Sequence, residues 1–138
     1  MKHLSRKNFF KIAAAPFLML LLLVASCSKD DDGQPETGDS YPKEVNVEYR
    51  VTSTTGLASA DVLYVNASGG RTSVDNVALP YSIKLKRTVN KLDNLAISFS
   101  KGASGEAKAE ILVDDKVVET ETFSGTSYIS GTIVHLFQ

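Results

Sequence analysis

The chain has 138 residues, 22% charged and 43% hydrophobic, with a formal net charge of −1, no tryptophan and one cysteine. A lone cysteine excludes an intrachain disulfide, and the length allows one small domain with one core. Setting aside Lys2, Arg6, Lys7 and Lys11 leaves 11 basic residues against 16 acidic ones, which argues against nucleic acid as a partner and against adhesion to anionic lipid.

Those four basic residues precede an apolar run from Ile12 to Ala25, interrupted by Pro16. The run is short for a membrane span, which needs about 20 apolar residues, and matches a signal peptide over residues 1–26. Ser5 to Lys11 is similar to a twin-arginine export motif, but Lys7 replaces the second arginine, which favours ordinary Sec export. Val24, Ala25 and Ser26 occupy the three positions before Cys27, an arrangement that resembles a bacterial lipobox. Cys27 is then the acylated first residue of the mature protein, carrying palmitate-type chains into the membrane. Each buried methylene contributes about 0.8 kcal/mol, so several chains give stable anchoring. Ser-Lys-Asp-Asp-Asp after the cysteine resembles the surface-export signal of Bacteroidota lipoproteins. It points to the outer membrane and the cell surface, with a periplasmic location as the other outcome. Residues 27–42 are expected to form an acidic, flexible tether.

Residues 43–138 alternate apolar and polar side chains almost throughout, the signature of half-buried strands. Val45, Val47, Tyr49 and Val51 alternate with polar partners, and Ala60, Val62 and Tyr64 form a second inward set. Gly69-Gly70 marks a turn, and a short strand through Thr72–Val77 ends at Pro80. Tyr81, Ile83 and Leu85 alternate next, followed by Leu95, Ile97 and Phe99. Ala107, Ala109, Ile111 and Val113 lead into a tight turn at Asp114-Asp115, from which Val117–Phe123 returns. A last strand spans about Tyr128 to Phe137. The pattern predicts an all-β, immunoglobulin-like β-sandwich of about seven strands. A closed eight-stranded barrel fits the same strand count.

No constellation points to catalysis. His135 stands alone in a strand and lacks nearby partners for a zinc site. No serine lies in a strand–turn–helix elbow. Asp114 and Asp115 read as turn formers, since neighbours on a hairpin tip stay solvated. The chain is therefore expected to be non-enzymatic, with no cofactor and no metal. Lys84, Lys86, Arg87 and Lys91 make the one basic cluster. Lys84 and Lys86 share the wet face of a strand and, with Arg87 and Tyr128, are the candidate contacts for an anionic glycan or lipid headgroup. The plainer reading, a charged face that resists edge pairing, is favoured. Tyr49, Tyr64 and Tyr81 fall on inner faces, whereas Tyr41 and Tyr128 lie near segment ends and are freer to bind.

Residues 47–53 (Val-Glu-Tyr-Arg-Val-Thr-Ser), 60–65 (Ala-Asp-Val-Leu-Tyr-Val), 77–82 (Val-Ala-Leu-Pro-Tyr-Ser) and 111–119 (Ile-Leu-Val-Asp-Asp-Lys-Val-Val-Glu) resemble the MmpS family of small membrane proteins. The resemblance runs from about Val45 to Leu136. It implies a small β-sandwich displayed from a membrane as an accessory to large RND-type lipid exporters. Family members usually have Leu-Pro-Trp where this chain has Leu79-Pro80-Tyr81, and Asp-Gly where it has Asp114-Asp115. They usually carry a transmembrane helix and a cysteine pair, whose positions align here with Ala109 and near Thr132. The resulting expectation is a lipid-anchored accessory domain serving an envelope transport or assembly complex. The alternative is a surface glycan-binding or adhesive module, which requires at least two solvent-facing aromatics on one patch.

Overall fold

The structure, a computed structural model, describes residues 40–138. The segments expected to form the signal peptide and most of the tether, Cys27 included, lie outside the described residues.

Eight strands follow one another: β1 (Lys43–Thr55), β2 (Ser59–Val65), β3 (Arg71–Ala78), β4 (Tyr81–Val89), β5 (Asn94–Lys101), β6 (Gly105–Val113), β7 (Lys116–Gly125) and β8 (Ile129–Leu136). They form two antiparallel four-stranded sheets. The first has the order β4-β1-β6-β7 and the second β3-β2-β5-β8. This is the expected β-sandwich, with two open sheets in place of a closed barrel, and the strands number eight.

The alternation seen in the sequence sets what each face does. In β1, Val45, Val47, Tyr49 and Val51 are all at most 2% exposed. They pair with inward residues of both neighbours: Tyr49 lies opposite Ile83 of β4 and Ile111 of β6. From the other sheet, Val62, Leu95, Ile97, Phe99, Ile129 and Ile133 complete the core. Each fully buried Val or Ile side chain contributes roughly 1.5–3 kcal/mol, so an aliphatic interior supplies most of the cohesion.

Tyr49 is the largest fully buried side chain. Its hydroxyl donates a hydrogen bond across the sandwich to the Val65 carbonyl, 2.9 Å away, which ties the first sheet to the second. Its ring lies 5.6 Å from that of Tyr64. Burial pushes the Tyr49 phenol up to about 12, so it stays a protonated donor. Val65, expected on the outer side of β2, is only 6% exposed at the end of its strand.

Asp114 and Asp115 form the two-residue β6–β7 turn, with φ of 49° and 62°. Positive φ at both central residues is the type I′ requirement, which Asp tolerates better than most side chains. Asp114 also reaches back to β1. Its Oδ1 accepts from the Asn46 backbone N–H and from Asn46 Nδ2, both at 3.0 Å, while its own N–H donates to the Asn46 carbonyl at 2.8 Å. These bonds hold the Asp114 carboxyl below its usual range.

At the side closed by β7 and β8, Gly131 of β8 faces inward opposite Phe99. A Cβ there would collide with the Phe123 ring of β7, and Phe123 meets Phe99 edge-on at 5.6 Å. Gly131→Ala is expected to cost about 1–3 kcal/mol through overpacking. A lowered urea midpoint with an unchanged slope checks this; an unaltered midpoint contradicts the close approach.

Candidate functional site

Lys84 and Lys86 project from β4 on the outer face of the first sheet, together with Ser82. Arg87 does not join them. One residue further along a strand is the opposite face, and Arg87 points inward with 9% exposure. Its Nη1 donates to the Asn94 carbonyl at 2.7 Å, and its Nη2 lies 3.6 Å from Asp93 Oδ2. The grouping expected from sequence proximity therefore divides: Arg87 is an internal clamp near the start of β5, while Lys91 is exposed in the β4–β5 connection.

The centre of the outer face is Glu48, which no sequence signal singled out. Register places it beside Lys84 and Leu112. Its carboxylate accepts from Arg50 Nε at 2.7 Å and Nη2 at 2.8 Å, and from the Ser82 hydroxyl at 2.7 Å. Lys84 Nζ stands 3.4 Å away. Long side chains cover Glu48 on a face that would otherwise be wet, leaving 7% exposure. Chiefly through the Arg50 hydrogen bond, helped by Ser82 and Lys84 and opposed by burial, the carboxyl is lowered to about 2. Lys86 pairs with Glu44 at 3.1 Å. A shallow groove of about 530 Å³ between Asn46, Glu48, Lys84, Lys86 and Asp115 is thus lined by both signs of charge. Its cations are already engaged, which weakens it as an anion site.

A larger cleft, about 670 Å³, opens between the sheets where the chain enters the domain. Tyr41, Lys43, Glu119, His135 and Phe137 line it, with Val134 and Leu136 on its rim. Phe137 is met edge-on by Tyr41 at 6.3 Å and by His135 at 5.0 Å. Lys43 Nζ sits 5.0 Å from the Tyr41 ring centroid and 5.7 Å from that of Phe137, a cation–π arrangement. His135 Nδ1 lies 3.5 Å from Glu119 Oε1 across the β7–β8 seam. Aromatic faces, two lysines (Lys43 and Lys116) and two carboxylates (Asp114 and Glu119) together suit a mixed apolar and polar ligand. Of these residues, the sequence pointed only to Tyr41 as free to bind. His135 follows Ile133 by two positions, so its inward direction was legible; Glu119 and Tyr41, 16 and 94 positions earlier in the chain, were not legible as its companions in the cleft.

Tyr128 is 59% exposed just before β8, at the opposite end of that strand from Phe137. Ala109 is buried in β6, and Thr132 lies on the outer face of β8, where its hydroxyl donates to Ser98 Oγ at 2.9 Å. Among the described residues no three His, Cys, Asp or Glu side chains converge as metal ligands.

An all-β domain of two stacked sheets, one outer face closed by its own ion pairs and an aromatic cleft at the point of entry, defines a class of small β-sandwiches. The model of the Mycobacterium membrane protein family matches residues 24–133, and the chain belongs to that family. No curated protein matches it. The family is membrane-associated, which places the chain in an envelope-related role. Among the described residues no helix is long and apolar enough to cross a membrane.

The depressed Glu48 carboxyl has a pH consequence. A carboxyl lowered from 4.5 to about 2 contributes stability that is present above the unfolded value and is lost as pH falls through the folded one. Urea midpoints should drop between about pH 5 and pH 2, and Glu48→Gln should flatten that drop. Equal slopes in the two proteins would remove Glu48 from the account.

Proposed function

We propose that the chain is a non-enzymatic lipoprotein, acylated at Cys27 and held at the outer membrane with its sandwich facing the cell surface. In this reading the domain is an accessory subunit that binds an envelope partner and supports a transport or assembly complex. The observation that carries it is the Val24-Ala25-Ser26-Cys27 run set ahead of a β-domain from a membrane-associated family. The cleft at Tyr41, Lys43 and Phe137 lies at the anchored end of the domain and is the surface offered to the partner. The glycan-binding reading gains less support, because Tyr128 and Tyr41 sit at opposite ends of the sandwich and make no shared aromatic patch.

Cys27→Ala should abolish incorporation of labelled palmitate and move the protein from the membrane pellet to the soluble fraction. A variant that stays in the pellet and still labels contradicts acylation at Cys27. Tagged protein extracted from native membranes should carry an envelope transport or assembly protein with it, and consistent recovery of the chain alone contradicts the accessory role.

A further inference from the structure

The β4–β5 turn, Asn90 to Asp93, sets a side chain against its own backbone. Leu92 has a φ of 70°, in the left-handed region where a bulky residue is strained and glycine is not. Its side chain is 67% exposed. A singly exposed leucine needs no explanation. A left-handed one persists only where its surroundings enforce it, and such outliers gather at functional positions. The enforcement is visible here. The Leu92 N–H donates to the Phe137 carbonyl at 2.8 Å, and the Phe137 N–H donates to the Asp93 carbonyl at 3.0 Å. Asp93 Oδ2 accepts from the Asn90 N–H at 2.9 Å, while the Asp93 N–H donates to the Asn90 carbonyl at 3.1 Å. The turn is locked, and it holds the leucine outward.

That turn lies at the end of the sandwich where the chain enters. β4 closes at Val89, directly opposite Lys43, the first residue of β1, and Phe137 also meets the Tyr41 ring. Ser40 follows Cys27 by 13 positions, so this end stands no further than about 45 Å from Cys27 even at full extension. Lys91, beside Leu92, and Arg71, just past the Gly69 turn, are exposed cations of the same end; Gly69 abuts the Arg87 guanidinium that faces Asp93. Exposed Asp115 opposes them from the β6–β7 turn, whereas the Asp93 and Asp114 carboxylates are taken up by Arg87, Asn90 and Asn46.

We propose that Leu92 is a membrane-contact residue. The β4–β5 turn rests on the lipid surface that anchors the chain, with Leu92 in the headgroup–acyl boundary and Lys91 and Arg71 against headgroup phosphates. The inference rests on the anchoring at Cys27 proposed above. An acidic domain has no charge excess to hold it to lipid by itself; the anchor does the holding and keeps the domain at raised effective concentration. Leu92 then sets which end faces the lipid, and a turn already locked gives up little conformational freedom on contact. Neither Leu92 nor Lys91 lines the cleft, which leaves this surface separate from the one offered to a protein partner.

The chain has no tryptophan, so Leu92→Trp and Tyr128→Trp each report from one position, the second at the opposite end. Full-length protein from native membranes is reconstituted in vesicles of phosphatidylglycerol and phosphatidylcholine, with or without bromine on the acyl chains. Leu92→Trp emission should shift to the blue and be quenched by the brominated lipid, and Tyr128→Trp should show neither effect. Leu92→Gly should leave the urea midpoint no lower, since glycine takes that φ without strain. Vesicle flotation reads the premise: a chain that does not float overturns the anchoring and the inference with it. Three results overturn the inference alone in a chain that floats. Leu92→Trp is quenched no more than Tyr128→Trp; its emission shifts without bromine quenching, which means a seat against protein; or Leu92→Gly lowers the midpoint, which means the leucine packs on the domain.

Discussion

A phenol placed between two apolar sheets must find a hydrogen-bond acceptor there, because no water reaches it. Tyr49 meets that demand by bonding to the Val65 carbonyl on the opposite sheet. An unmet buried hydroxyl costs roughly 1–3 kcal/mol, whereas the satisfied bond contributes about 1. The bond therefore acts mainly as a constraint on geometry: it sets how far β1 stands from β2 and which residues face each other. Ala107 and Ala109 in the adjoining strand are fully buried, small side chains in the layer that holds the Tyr49 and Phe99 rings. Without a disulfide among the described residues, this bond, the Arg87 hydrogen bond to the Asn94 carbonyl and the aliphatic packing between them hold the two sheets together.

Once the inner faces are fixed, period-two geometry fixes the outer ones. The first sheet turns outward a band of paired charges centred on Glu48, which leaves its cations engaged with its own carboxylates. The same geometry takes Arg87 out of the basic group, since 84 and 86 point one way and 87 the other. The aromatic cleft between the sheets lies toward the end where residue 40 leads into the domain.

Much of the fold could be read from the chain because alternation is local. Val45 to Val51 declared a strand with one buried face, and Asp114-Asp115 declared a hairpin that the positive φ values bear out. The β6–β7 turn even has a legible chemistry, since two short acidic residues tolerate the left-handed region. The site was legible only in part. Lys84 and Lys86 share a face as their spacing requires, but their partners Glu48 and Glu44 lie 36 and 42 positions earlier and come beside them only through β1–β4 register. The cleft is less visible still. It gathers the first and last residues of the domain with the middle of β7, and that closeness is a property of two stacked sheets.

The chain belongs to a membrane-associated family, and its described domain is a small sandwich of two stacked sheets. The central structural claim is that its two sheets remain open, joined through Tyr49 in the interior and unpaired at β8. Residue-resolved amide exchange on dilute full-length protein tests this most directly. The account predicts slow exchange for Ile133 and His135, which bond toward β5, and fast exchange for the neighbouring Thr132 and Val134 amides. Equal protection of all four would mean that β8 is hydrogen-bonded on both sides within one molecule, as in a closed barrel, and would contradict the account.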